Sequence, residues 1–333
     1  MKKISAKDIL RQLKYDLIGK DSYRGVTLTY SWLANQFGHF GLGFIPAYIT
    51  FVALTHYGVG HPAMKAAFFV WGFWIAFETY NCIKPILFSH TKTSIFPAPW
   101  RNIIYDVLTD LSFFGMGAFL AAFLSDHLSL LLIFLVSLAV LALYPSYDWY
   151  RTKMYQQEAG YPFQFRLSQW ASTCTEENKQ TVLDFIKDDV PGKHLFIFGA
   201  YKSGKTSLSV AIANECSITK HACKYVTAMK IFSLFFEPVT GEGLWDWRDA
   251  SLLVIDDLNP GFPLKDEVVT PASFMYFIDQ GGMGEANKKT IREKKIIWVL
   301  GVEDDAQKTR HKKWQAMLLS MGVGDDRIFS VNL

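Results

Sequence analysis

The sequence predicts two parts of different fold class: an N-terminal all-α transmembrane bundle of four helices, and a C-terminal three-layer α/β domain with a parallel sheet. The first observation is charge, because residues 1–149 contain 11 Lys/Arg and 8 Asp/Glu whereas residues 150–333 contain 23 of each. The second is a series of four long apolar runs in the first part. The third is the alternation of short apolar strands with helical segments in the second part. This composition excludes a disordered, collagen-like or disulfide-scaffold protein.

The four apolar runs are the predicted membrane spans. Each approaches the roughly 20 residues that cross a hydrocarbon core about 30 Å thick. A very hydrophobic soluble helical core is the alternative, and four successive runs joined by short loops argue against it. No cleavable signal-peptide pattern precedes them, so we expect the first run itself to direct insertion. The runs are Phe40–Tyr57, Ala66–Phe88, Ile103–Leu124 and Leu128–Tyr144.

The distribution of Lys and Arg predicts the orientation of these spans. Seven of them precede the first run, only Lys65 lies between the first and second, and none lies in residues 125–127. Lys92 and Arg101 lie in the loop between the second and third runs, and Arg151 follows the fourth. Because alternate loops are basic, we expect both termini on the cytosolic side. The expected location is the bacterial inner (cytoplasmic) membrane.

Residues 4–18 predict an amphipathic helix ahead of the first span. One face carries the apolar residues Ile9, Leu10, Leu13 and Leu17, and lysines surround the rest. Such a helix either lies on the anionic inner leaflet of the membrane or docks onto the C-terminal domain. The pattern leaves both interpretations open.

Three acidic residues, Glu78, Asp106 and Asp110, fall inside the predicted spans. Asp106 and Asp110 are one turn apart and share a helix face, and Glu78 lies at a similar predicted depth. Intramembrane acids are rare enough to indicate function. One interpretation is a proton or cation site. The other, which we favour, is a polar patch that binds a basic residue of a partner or of another copy, because no intramembrane Lys or Arg offers a counter-ion.

The most specific motif lies in the second part of the chain. His194–Phe198 predicts a strand, Gly199–Thr206 matches GxxxxGK[ST] in full, and Ser207–Asn214 predicts a helix. Glycines let backbone N–H groups turn toward a phosphate, and the helix N-terminus adds its positive dipole end. The lysine of the motif reaches the β- and γ-phosphates, and its threonine binds Mg²⁺. The predicted nucleotide-binding residues are Gly199, Ala200, Tyr201, Lys202, Ser203, Gly204, Lys205, Thr206 and Ser207.

A second strand that ends in acids is expected beside this loop. Ser251–Ile255 is apolar and is followed by Asp256 and Asp257. Asp256 would hold Mg²⁺ together with Thr206, and Asp257 would orient or deprotonate the attacking water. The alternative is a buried strand that ends at a polar turn. Lys205, Asp256 and Asp257 are therefore the predicted catalytic residues.

Further apolar strands complete the predicted parallel sheet, at Lys224–Ala228, Ile296–Leu300 and Ile328–Asn332. Strands that alternate with helices are typical of a three-layer α/β domain. The predicted organisation is a cytosolic amphipathic segment at 1–34, four spans at 35–149, a linker at 150–174 and a cytosolic nucleotide-binding domain at 175–333.

The segments GAYKSGKTS, KYVTAMKIF and LLVIDDLNPG resemble AAA+ ATPases of the P-loop NTPase class. In particular, they are similar to helicase loaders, transposition-helper ATPases and replication initiators. The resemblance covers about residues 175–333 and implies ATP and Mg²⁺ as ligands. Many relatives carry Glu at the position of Asp257, so the resemblance implies nucleotide binding more strongly than fast hydrolysis.

Two features depart from the AAA+ pattern. The fourth strand ends in Leu300–Glu303, where these ATPases usually place a polar residue that senses the γ-phosphate, a role that Glu303 or Asp304 would fill poorly. We also expect no helical lid after the fifth strand. A trans-acting arginine would be Arg292, Arg310 or Arg327, and the sequence does not choose among them.

These features predict a membrane-anchored ATPase that remodels or gates a membrane protein assembly, as a homo-oligomer or within a membrane complex. One alternative is a nucleotide-dependent scaffold or switch with little turnover. Another is a membrane-tethered DNA-handling ATPase of DNA transfer, secretion or defence. Basic clusters at 288–295 and 308–314 would favour nucleic acid, but the C-terminal part has no net charge and charge runs are usually solvated faces. Nucleic acid is therefore not the favoured partner.

Overall fold

The computed structural model describes residues 3–18, 26–87, 96, 100–170, 174–187, 190–236, 243–259, 269–301 and 307–333. The chain divides into two compact units. The helical unit comprises Lys7–Thr93 and Ala98–Met154, and the sheet unit comprises Met1–Ala6, Ser94–Pro97 and Tyr155–Leu333.

Long helices form the helical unit, and two of them, α2 and α5, extend more than ten residues beyond the predicted spans. The helices are α1 (Ala6–Ile18), α2 (Leu28–His56), α3 (Pro62–Leu87), α4 (Trp100–Asp126) and α5 (Ser129–Ala159). The Thr27 side chain caps the start of α2 by accepting a hydrogen bond from the backbone N–H of Tyr30. Helix α5 continues past Tyr144, so the first part of the predicted linker is helical until Gly160, whose φ of 72° favours glycine and ends the helix.

Helices α2 to α5 pack in alternating directions. α2 runs parallel to α4, because His39 contacts Phe114 and, further along both helices, Ala47 packs with Ala121. Small residues allow this close approach, since a methyl group added at Gly43 would collide with the backbone of α4. α3 and α5 run in the opposite direction. Trp74 of α3 stacks on Phe114, with ring centroids 4.1 Å apart.

Three of these helices, α2, α4 and α5, are long and apolar enough to cross a membrane. α3 is similar in length but contains the charged residues Lys65, Glu78 and Lys84, and it is not among the three. The structure is thus compatible with a membrane protein.

The sheet unit contains a five-stranded parallel sheet in the order β2-β3-β4-β1-β5. The predicted parallel sheet is confirmed. The strands are β1 (His194–Gly199), β2 (Cys223–Thr227), β3 (Leu252–Asp256), β4 (Lys295–Gly301) and β5 (Ile328–Asn332).

Helices cover both faces of this sheet. Leu195 and Ile197 of β1 pack with α6 (Glu176–Lys187) and α7 (Lys205–Ile218) in one core. Phe196 points to the other face, into a core rich in aromatic side chains such as Trp298 and Trp314. Four helices supply that second core, namely α8 (Ala228–Phe236), α9 (Pro271–Asp279), α10 (Gly284–Glu293) and α11 (Gln307–Ser320). The layering follows from the alternation of side chains along each buried strand.

Candidate functional site

The turn from β1 into α7 forms a loop with little space for side chains. A Cβ at Gly199 would collide with the Ser203 side chain and with the backbone of Leu333, so only glycine fits. Gly204 is the N-cap of α7 with φ of 91°, and Lys202 also has a positive φ, of 64°. This backbone leaves the start of α7 facing the cleft, where unpaired helix N–H groups attract an anion.

Lys205 is the buried cation of this loop. Its side chain is 9% exposed, and Nζ donates hydrogen bonds to the carbonyl oxygens of Gly199 at 2.9 Å and Ala200 at 2.6 Å. Burial lowers the pKa of the Lys205 ammonium, while the negative charges of Asp256 and Asp257 oppose this effect. The loop therefore holds the ammonium group in place with its own carbonyls.

The acidic pair lies at the end of β3. Asp256 is 1% exposed and accepts two hydrogen bonds, from the Tyr225 hydroxyl at 2.6 Å and from the backbone N–H of Asp257 at 2.8 Å. Asp257 is exposed and has φ of 56°, a conformation that turns the chain sharply after the strand. Partial burial of its carboxyl group, followed by the charge of Asp256, raises the pKa of Asp257 above its usual value, and Lys205 opposes the shift.

One cleft of about 370 Å³ unites the two motifs at the carboxyl edge of the sheet. The carboxyl edge is where open α/β sheets bind ligands. Predicted residues that line this cleft are Tyr201, Lys202, Gly204, Lys205, Thr206, Ser207, Asp256 and Asp257. Gly199, Ala200 and Ser203 shape the loop behind them.

The residues present fit Mg²⁺ together with a nucleotide. No group of three or more metal-ligating His, Cys, Asp or Glu side chains occurs among the described residues. Magnesium in nucleotide sites is usually held by one or two carboxylates plus phosphates and water, and does not need such a group. Thr206 and Asp256 line the same cleft and provide the oxygen atoms that this arrangement requires.

Comparison of the sequence with protein-family models and with curated proteins gives no match. The assignment of this cleft therefore depends on its residues and their geometry.

Two of the three candidate trans-acting arginines, Arg292 and Arg327, lie away from the cleft. Arg292 precedes β4 and Arg327 precedes β5, so both are at the sheet edge opposite the cleft of their own chain. The side chain of Arg310 lies outside the described residues, as do Glu303 and Asp304. Arg292 and Arg327 therefore cannot reach a nucleotide bound in the cleft of the same subunit.

Sequence reasoning missed Tyr225. It belongs to β2, which pairs with β3 so that Tyr225 aligns with Val254, two residues before Asp256. The parallel register of the two strands would have indicated the contact, because both strands end at the same edge.

Sequence reasoning also missed two polar partners of Asp110 in the helical unit. His39 Nδ1 lies 3.9 Å from Asp110 Oδ1, and the Gln36 side chain hydrogen-bonds Asp110. Asp106 and Glu78 are close enough to interact electrostatically with Asp110. His39 is thus a candidate counter-ion for the three predicted acids, for which the sequence alone indicated none.

Proposed function

We propose that this chain is a membrane-anchored ATPase of the AAA+ type that uses ATP–Mg²⁺ to remodel or gate a membrane protein assembly. The observation that carries the proposal is the convergence of Lys205, Thr206, Asp256 and Asp257 on one cleft at the carboxyl edge of a parallel sheet. If the match to GxxxxGK[ST] were a coincidence, there would be no reason for the two acids after β3 to line the same cleft.

The roles of the residues follow from charge and reach. Backbone N–H groups at the start of α7 bind phosphate oxygens, and Lys205 exchanges its two carbonyl acceptors for the β- and γ-phosphates. Thr206 and Asp256 would hold Mg²⁺, which would supply positive charge to neutralise the charge that develops on the phosphates. Asp257, exposed at the cleft and carrying a raised pKa, accepts a proton from the attacking water.

Four membrane crossings are part of the proposal. α2 and α4 are parallel, so the chain must return across the same thickness between them, and α3 is the helix that does so. Its 26 residues span roughly 39 Å at 1.5 Å per residue, which exceeds the hydrocarbon core. The basic N-terminal segment and the basic residues Arg151 and Lys153 near the end of α5 favour a cytosolic sheet unit.

The test is nucleotide binding by the full-length protein in lipid nanodiscs. Lys205→Ala removes the charge that compensates the phosphates, so we expect at least tenfold weaker binding of a fluorescent ATP analogue. Lys289→Ala, an exposed lysine of α10, is the matched control and leaves binding unchanged. Equal binding by Lys205→Ala and wild type would refute the nucleotide site.

A nucleotide-dependent switch with little turnover is the second candidate. Two observations favour it: Asp257 has a shorter reach than glutamate, and both oxygens of Asp256 already accept hydrogen bonds. ATP binding without measurable steady-state hydrolysis would select this candidate. A DNA-handling role has less support, because Lys288 in the basic cluster is paired with Asp279 at 2.6 Å and with Glu285.

A further inference from the structure

Three polar side chains meet inside the helical unit, and the ATPase chemistry uses none of them. Gln36 is 3% exposed, and His39 and Asp110 have side chains that are 16% and 15% exposed. His39 lies roughly 16 Å along α2 from Leu28, and Asp110 roughly 15 Å along α4 from Trp100. Both helices are apolar enough to cross a membrane, so the group lies well within the bundle.

Each of the three side chains has a buried polar atom that lacks a hydrogen-bond partner. These atoms are Gln36 Oε1, His39 Nδ1 and Asp110 Oδ1. A buried polar atom without a partner costs about 1–3 kcal/mol, so three in one place require an explanation. Two of them are oxygen acceptors and the third is an imidazole nitrogen, which becomes a donor when it carries a proton.

The surroundings favour positive charge at this point. Asp106, one turn before Asp110 on α4, and Glu78 on α3 both act electrostatically on Asp110. α5 contributes only apolar residues at this level, since Leu138 contacts Gly115 and Tyr144 contacts Tyr105 on either side of it. No Lys or Arg lies at this level of α2, α3, α4 or α5 within the described residues.

We propose that His39, Asp110 and Gln36 form a proton-binding site inside the bundle, in which an imidazolium at His39 is held by the Asp110 carboxylate. Proton uptake forms the Nδ1–H bond at His39, and a small rotation of the ring closes the 3.9 Å gap to a charge-assisted hydrogen bond. Gln36 donates to Asp110 and fixes the orientation of the carboxylate. Asp106 and Glu78 add further negative charge around this site.

Two features of the packing fix the positions of the His39 ring and the Asp110 carboxylate. The His39 ring rests on Phe114, with centroids 4.5 Å apart, so the imidazole is restricted to the α4 side of α2. One turn further along α2, Gly43 brings the two helix backbones into contact. The bundle thus places the imidazole and the carboxylate together before the proton arrives.

The experiment is a pH titration of the full-length protein in nanodiscs, followed by ¹⁵N-histidine NMR with His39 assigned from His39→Gln. We expect the His39 signals to convert from a neutral ring to an imidazolium between about pH 5 and pH 9. In Asp110→Asn, half conversion of His39 should require an at least tenfold higher proton concentration. Asp106→Asn should cause a smaller increase, because the charge that it removes is further away. Asp126→Asn, at the exposed C-terminal end of α4, is the control and leaves the titration unchanged.

Three outcomes would overturn the proposal. They are a His39 ring that stays neutral down to about pH 5 in the wild-type protein, a titration that Asp110→Asn does not change, and His39 signals that respond to Na⁺ at constant pH. If Asp110→Asn does not fold, the wild-type titration still decides, and Asp110→Glu should retain it. These readouts involve no nucleotide, so they succeed or fail independently of the ATPase proposal.

Discussion

Tyr225 determines where the Asp256 carboxylate points. Its hydroxyl donates to Asp256 Oδ2 at 2.6 Å, and the backbone N–H of Asp257 donates to Oδ1. Burial, followed by the charge of Asp256, raises the pKa of the Tyr225 hydroxyl far above its usual value, so the hydroxyl stays a donor at all physiological pH.

Tyr225→Phe removes this hydrogen bond and leaves the ring in place. A hydrogen bond to a charged group contributes about 1.5–3 kcal/mol, so we expect the Mg²⁺ concentration for half-maximal ATP hydrolysis to rise about tenfold. Binding of ATP in the absence of Mg²⁺ should not change. Tyr276→Phe, an exposed tyrosine of α9, serves as control. An unchanged Mg²⁺ requirement would show that Tyr225 has no role in positioning the acid.

In the proposed ATPase, Asp257 sets the acid limit of hydrolysis. Its pKa is raised by burial and by Asp256, so it takes up a proton at a higher pH than an ordinary aspartate does. A base must be deprotonated to act, and therefore activity should fall as the pH decreases through this raised pKa. Asp257→Asn should abolish hydrolysis at every pH while ATP binding persists, and Asp257→Glu should restore turnover. Full hydrolysis by Asp257→Asn would assign the base to another group.

At the level of whole helices, the contact between α2 and α4 depends on glycines. A methyl group at Gly43 would meet the backbone of Phe114, and one at Gly117 would meet the backbone of Phe40. Neither obstacle is a flexible side chain, so the helices themselves would have to separate. In contrast, nothing lies within 4 Å of a methyl group at Gly72 of α3.

Gly43→Ala should therefore destabilise the helical unit by about 1–3 kcal/mol. Gly72→Ala should be neutral or stabilising by up to about 1 kcal/mol, because alanine favours a helix more than glycine does. Thermal unfolding of both variants in the same detergent measures the difference. A Gly43→Ala variant as stable as Gly72→Ala would mean that α2 and α4 are not in backbone contact.

At the scale of the whole molecule, the positions of the helix ends bear on the proposed membrane topology. The start of α2 and the end of α5 lie at the same end of the bundle, where Trp32 and Tyr150 are in ring contact with centroids 6.2 Å apart. α1 is tied to that end, because its Asp16 accepts a hydrogen bond from the Tyr150 hydroxyl at 2.6 Å. The proposed four membrane crossings, an even number, agree with this geometry.

Cysteine labelling in a cysteine-free background tests the four-span topology. His61→Cys and Asp126→Cys should react with an impermeant reagent from outside only, and Ser5→Cys and Lys289→Cys from the cytosolic side only. The native thiols replaced beforehand are Cys82, Cys174, Cys216 and Cys223. Labelling of Asp126→Cys from the cytosol would contradict the proposed role of α3 as a membrane span.

Periodicity and local motifs were sufficient to predict the parallel sheet and the glycine-containing turn from β1 into α7. β5 was predicted with its observed bounds, and the other strands within a few residues, because buried parallel strands are short apolar runs between helices. The helix ends were less predictable. α2 begins before Phe40 and α5 continues beyond Tyr144, since polar residues extend a helix as readily as apolar ones and only a cap or a glycine ends it.

The sequence by itself determined the long apolar helices, the GxxxxGK[ST] loop and the acids after β3, since each depends on residues that are close together along the chain. Only the tertiary structure decided that Tyr225 holds Asp256, that His39 and Gln36 meet Asp110, and that Arg292 and Arg327 lie away from the cleft. Those relations join residues from separate strands or helices. Strand order and helix register, which arise from packing across the whole unit, set the distances between them.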